Sequence, residues 1–94
     1  MKLEDKIAIA KQNKDISNDE ILKDIGETEH EIRVMLREMD GFRIIGDRLS
    51  RMRADARESG IKERKEFIEK LEAILEMREK GIIDKHGLIK EEFL

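Results

Sequence analysis

The chain contains no cysteine, proline, tryptophan or tyrosine, and only three phenylalanines among its 94 residues. Without cysteine, neither a disulfide framework nor a thiolate metal site can form. The two histidines, His30 and His86, stand far apart in sequence. A zinc site would need more ligands than they offer, so no metal and no other cofactor is expected. No apolar run approaches the roughly 20 residues of a membrane span. The first residues also lack the apolar core of a secretory signal. These absences predict a soluble, cytoplasmic protein with no membrane partner. Gly41 and Gly46 are isolated and make no phosphate-binding loop, and no Ser/His/Asp order has supporting context. A small helical chain leaves little room for a pocket on the order of 300 Å3, so the chain is not read as an enzyme.

What the sequence has in abundance is charge, 46% of all residues, with lysine, glutamate, isoleucine, leucine and arginine dominant. That composition predicts an all-α protein. Gln12, Asn13 and Asn18 are the only side-chain amides, a bias shared with thermophile proteins. The net charge of −3 conceals three blocks. Residues 1–32 carry five lysines against nine acids, residues 33–57 seven arginines against four acids, and residues 58–94 eight bases against ten acids. The middle block is basic through arginine alone. The planar guanidinium fork suits phosphate or carboxylate partners. Equally, these arginines can pair with neighbouring acids on a solvated face.

Leu3, Ile7, Ile9 and Ala10 predict a first helix over residues 3–13. Asn13-Lys14-Asp15 supplies turn chemistry. Two capping boxes follow, Ser17 with Glu20 and Thr28 with Glu31. Gly26 between them is placed to end a helix with a positive φ. The pattern therefore predicts short helices over 18–25 and 29–39, packed through Ile21, Leu22, Ile25, Ile32, Met35, Leu36 and Met39. Beyond Asp40-Gly41, two readings compete for residues 42–52: a short strand or wing turning at Gly46-Asp47, or a fourth helix, Arg48–Ser59, capped by Asp47 and stopped at Gly60. The helix formers from Arg48 to Glu58 favour the helix. Ile61 to Lys80 is the longest helical pattern, with Gly81 as its stop. Its stripe of Phe67, Ile68, Leu71, Ile74 and Leu75 is the candidate oligomerisation face. Asp84–Gly87 reads as a turn before a short amphipathic tail through Leu88-Ile89 and Phe93-Leu94.

Asn18 to Arg37 resembles the helix-turn-helix element of bacterial, archaeal and phage transcription regulators. Ile21, Leu22, Ile25 and Gly26 stand at the places of its first half, and Ile32 and Met35 at those of its second. Leu22 stands where alanine is usual, and Glu27 where an apolar residue is common. The resemblance implies a tri-helical helix-turn-helix unit over residues 1–45, followed by a helical extension over 46–94. It also implies a recognition helix over 29–39 that contacts the major groove of duplex DNA through Thr28, Glu29, His30, Arg33, Val34 and Arg37. Arg43, Arg48 and Arg51 would then meet the DNA backbone. The stretch from Ile68 through Gly81-Ile82-Ile83 resembles short C-terminal oligomerisation domains, which adds to the expectation of a homodimer. The competing expectation is a non-catalytic helical module that binds an acidic protein partner, since Glu27, Glu29 and Glu31 crowd the start of the reading helix.

Overall fold

A computed structural model describes residues 1–82. They form three helices, α1 (Leu3–Gln12), α2 (Asn18–Ile45) and α3 (Arg48–Glu79). All regular structure among the described residues is helical, as composition predicts. The expected amphipathic tail and the Asp84–Gly87 turn lie outside the described residues. The chain divides into two units: Met1–Lys23 with the chain from Glu69 onward, and Asp24–Ile68.

In the first unit, α1 ends on Asn13, whose side-chain amide donates to the carbonyl of Ile9 at 2.8 Å. Ser17 then caps α2, its Oγ accepting the Glu20 N–H at 3.1 Å. This is the serine half of the first expected capping box, and it satisfies one of the orphan N–H groups at the start of the helix. The core of this unit is Ala10, Ile21, Leu71, Ala73, Ile74, Met77 and Ile82. Arg78 closes the α1–α2 turn by donating to Asn18 Oδ1 at 2.7 Å and to the Asn13 carbonyl at 3.1 Å. Gly81 ends α3 with φ +71°. Its N–H reaches the Arg78 carbonyl, and the N–H of Ile82 reaches that of Met77. That pair of bonds is the Schellman motif, completed by the burial of Ile82 and Met77.

The second unit is an antiparallel pair formed by the later part of α2 and the earlier part of α3. Glu31 bonds Arg64 and Glu38 bonds Arg57, a seven-residue step in opposite directions on the two helices. Along α2 the inward positions are Ile25, Thr28, Ile32, Met35, Met39 and Phe42, and along α3 they are Ser50, Ala54, Arg57, Ile61, Arg64 and Ile68. Both series step alternately by three and four residues, the seam of a two-stranded coil. Ile32, Met39 and Ile61 are its buried centre, with Met35 and Ile68 against them. At Gly60 the helices approach so closely that an added Cβ would stand 2.5 Å from Met35 Cε.

The seam explains where the structure departs from the sequence-based expectation. No turn forms at Ile25–Thr28, because α2 is one helix from Asn18 to Ile45. Ending it at Gly26 would break the apolar period on which Ile21, Ile25, Thr28 and Ile32 all lie. The second capping box is therefore not used, and Thr28 is a buried residue of the helix interior. For the same reason α2 passes through Gly41 and α3 through Gly60. The four short helices expected over 18–25, 29–39, 48–59 and 61–80 are thus two long ones. Between Asn18 and Glu79 the chain reverses only at Gly46, with φ +73° and its N–H on the Phe42 carbonyl. Asp47 then caps α3, its Oδ1 accepting the Ser50 N–H at 2.6 Å. Residues 42–52 are thus helix, sharp turn, helix. Neither a strand nor a wing is present there.

Candidate functional site

A two-helix unit with a single seam buries one face of each helix and leaves the other faces to water. On α2 the sequence-nominated residues divide by this rule. His30, Arg33, Val34 and Arg37 recur at i, i+3, i+4 and i+7, which places them together on one outward face, and all four are exposed. Glu29 is exposed beside them, whereas Thr28 points into the seam. Among the described residues, the side chains of His30, Arg33 and Arg37 make no hydrogen bond or ion pair. Asp40 lies three residues from Arg37, within helical reach of its charge.

The arginines beyond α2's midpoint serve different ends. Arg57 bonds Glu38 at 2.6 Å and lies 5.8 Å from the centre of the Phe42 ring. Arg53 lies over the same ring at 5.9 Å, a cation–π arrangement. Arg64 bonds Glu31 at 2.7 Å. Arg43 is 3.7 Å from Glu58. These half-exposed pairs contribute at most about 1 kcal/mol each. Arg48 and Arg51 are exposed and, among the described residues, make no side-chain hydrogen bond or ion pair. The neighbouring Asp47 carboxylate is bound to the first turn of α3 but keeps its negative charge, which offsets part of that of Arg51. Its hydrogen bonds from Ser50, helped by the charges of Arg53 and Arg51, hold its pKa below the usual carboxylate range.

The candidate oligomerisation face is largely used inside the chain. Leu71 and Ile74 are buried in the first unit. Ile68 packs on the Ile32–Met39–Ile61 centre of the second. Leu75 is half-buried, and Phe67 alone of the five is exposed. The stripe is broad because it supplies both internal cores, so it does not form a free surface for a second chain.

Exposed large apolar side chains occur on every helix, among them Leu3, Leu22, Leu36 and Phe67, but their densest group was not nominated from the sequence as a site. Ile44 is 86% exposed, Ile45 65%, Met52 59% and Leu49 55%, all within nine residues about the Gly46-Asp47 turn. These four flank the last seam positions, Phe42 and Ser50. Ile44 and Met52 each lie two residues past one of them, roughly 200° round the helix from the partner. Arg48 and Met52, and Leu49 and Met52, are neighbours at i, i+4 and i, i+3. The turn thus carries large aliphatic side chains interleaved along the sequence with the exposed guanidinium groups of Arg48 and Arg51. The sequence signal was the run Phe42-Arg43-Ile44-Ile45, which is too apolar for a loop and too long for one seam position.

In the first unit a shallow cleft of about 160 Å3 is lined by Met1, Lys6, Glu69, Glu72, Ala73 and Glu76. Lys6 Nζ bonds Glu76 Oε2 at 2.7 Å, and Lys80 bonds the other oxygen at 2.7 Å. Those two ammonium groups lower the Glu76 pKa to about 2. The cleft is therefore occupied by its own ion pairs. No group of three or more metal-ligating side chains comes together among the described residues, and no helix there is long and apolar enough to cross a membrane. No protein-family model, curated protein or solved structure matches the chain.

Proposed function

We propose that the protein is a helical interaction module that binds another protein through the turn-end of its second unit. The observation that carries this reading is the exposure of Ile44, Ile45, Leu49 and Met52. Burying such a side chain is worth about 1.5–3 kcal/mol, so Ile45 and Leu49, which flank the seam next to the turn, are a reserve of binding free energy for a partner seated there, with Ile44 and Met52 exposed on the outer sides of their helices. Both sides of the turn are hydrogen-bonded, at Gly46 and at Asp47. The side chains are thereby presented on an ordered frame, and little ordering cost attaches to their use. The test is a selection from a random peptide library displayed against the folded protein. A set of binders that lose affinity on Ile45→Glu supports the reading. Selection that yields no binder, or binders indifferent to every substitution at 44–52, refutes it.

Duplex DNA is the second reading, favoured by the exposed and unpaired Arg33 and Arg37 on one face of α2. In a continuous α2 these residues lie mid-helix, so they would meet phosphates along the helix side. Glu29 and Asp40 on the same helix oppose such contacts. A gel shift with pooled random duplex at low salt decides it: DNA binding requires a complex that weakens steeply with salt and is lost in Arg33→Ala/Arg37→Ala.

A further inference from the structure

We infer that the partner segment bound at the α2–α3 turn is an acidic amphipathic helix, apolar along one stripe and rich in Asp and Glu beside it. This inference rests on the interaction-module reading above and names the chemistry that its site selects. Residues 43–53 carry four arginines, Arg43, Arg48, Arg51 and Arg53, against a single acid, Asp47. Asp47 is committed to the Ser50 N–H at 2.6 Å. Arg43 has Glu58 at 3.7 Å and Arg53 has the Phe42 ring; Asp47 offsets part of the Arg51 charge, and among the described residues Arg48 and Arg51 make no side-chain hydrogen bond or ion pair. They stand at i, i+3 on the first turn of α3, so each adds its charge to the other's surroundings. A partner that brings carboxylates to this pair gains charge-assisted hydrogen bonds, and Arg presents a fork suited to receive them.

Charge alone would admit any polyanion, but the aliphatic side chains narrow the choice. Ile45 and Leu49 flank the turn, with Ile44 and Met52 further round their helices. Laid against the phosphates of a nucleic acid, Ile45 and Leu49 would meet charged surface and bury little. A protein segment with its own aliphatic stripe buries these two beside the turn and carries acids toward the arginines, an apolar centre within a charged rim; Ile44 and Met52 face outward on opposite sides of the helix pair and are not both covered by it. A second copy of this same turn is disfavoured, because it would set four arginines against four. An amphipathic helix supplies both features in one segment, since its i, i+3, i+4, i+7 stripe carries the aliphatic contacts and its flanks supply carboxylates at regular spacing.

The probe is a pair of designed helical peptides with the same leucine stripe, one with glutamate on its flanks and one with lysine, titrated against the full chain by fluorescence anisotropy. The acidic peptide should bind at least about tenfold more tightly than the basic one at low salt, with the difference shrinking as salt rises. Ile45→Glu should abolish binding of the acidic peptide. Arg48→Glu/Arg51→Glu should weaken it about tenfold or more and improve binding of the basic peptide. Leu22→Glu, an exposed position in the first unit, should change neither, with circular dichroism confirming that each variant keeps its helix content. Equal binding of the two peptides overturns the inference. So does acidic-peptide binding that survives Ile45→Glu, concentration-dependent self-association abolished by Ile45→Glu, or a preference for anionic vesicles over the acidic peptide. If library-selected peptides bind at 44–52 but carry no acidic bias, the inference fails while the module reading stands. If no peptide of any kind binds, both fail.

Discussion

The continuity of α2 makes Gly26→Ala a decisive substitution. In the structure Gly26 is an interior residue of a 28-residue helix with ordinary negative φ, and an added Cβ would meet nothing within 4 Å. Alanine there removes backbone freedom from the unfolded chain and adds no clash. The expected gain is about 0.5–1 kcal/mol, the usual difference between glycine and alanine in a helix interior. For a chain of this size that raises Tm by roughly 2–8 °C, at about 4–8 °C per kcal/mol. Had Gly26 been the positive-φ residue of a helix-turn-helix, the same alanine would cost about 1–2 kcal/mol and lower Tm instead. The two arrangements therefore differ in sign, and by about 1.5–3 kcal/mol overall, well beyond the error of a thermal melt followed by far-UV circular dichroism. Gly41→Ala is equivalent, since its Cβ also has open space. The sites lie about 22 Å apart along the helix, so the double variant should show the sum of the two effects. A fall in Tm for Gly26→Ala would refute the continuous helix, and with it the account of the seam.

Gly46→Ala should destabilise by about 1 kcal/mol or more, because Gly46 holds φ +73° at the reversal of the chain; a Tm equal to that of the parent would show that this turn is not the one formed. Ile21→Ala should cost about 2–4 kcal/mol in urea denaturation, since Ile21 is fully buried, whereas Leu22→Ala at 57% exposure should stay within about 0.5 kcal/mol; the reverse order would mean that α2 is rotated by one residue. Glu76 has its folded pKa lowered to about 2 by Lys6 and Lys80, from an ordinary 4.5. A depressed carboxylate pKa contributes stability that is present above the unfolded value and lost as pH falls through the folded one. The parent should therefore lose Tm between about pH 4.5 and pH 2 more steeply than Glu76→Gln, and parallel curves for the two proteins would remove Glu76 from the acid transition.

How far the fold could be read from the chain follows from which signals are local. Ser17 and Asp47 acted as caps because a short polar side chain before a helix needs only the next three residues to be helical. Gly81 stopped its helix because Ile82 and Met77 close the Schellman bonds around it. Gly26, Gly41 and Gly60 could not be read in the same way. Each is a plausible stop in isolation, yet each lies inside a three–four apolar period that continues on both sides. A glycine costs a helix about 1 kcal/mol, and that is less than the loss from dividing a seam that buries Ile32, Met39 and Ile61. Thr28 shows the same competition. With Glu31 it has the spelling of a capping box, and only its place between Ile21-Ile25 and Ile32 shows that it is an interior residue.

The site divides along the same line. Arg33 and Arg37 could be placed on an exposed face from helical spacing alone, and that holds whether α2 is one helix or two. The Phe67–Leu75 stripe could not be assigned to a partner, because its width reflects two separate internal cores, one through Ile68 and one through Leu71 and Ile74. The converse holds at Ile44, Ile45, Leu49 and Met52. A sequence pattern marks apolar residues as buried by default, and only the two-helix packing shows that these four have nothing to bury against. In a chain with 46% charged residues, aliphatic side chains also stand in water at Leu3, Leu22 and Leu36, but Ile44 at 86% is the most exposed of the large apolar ones and the group about the turn is the densest. The seam fixes Phe42 and Ser50 inward, so Ile44 and Met52 must face outward, and no repacking of this pair can cover both without losing the seam.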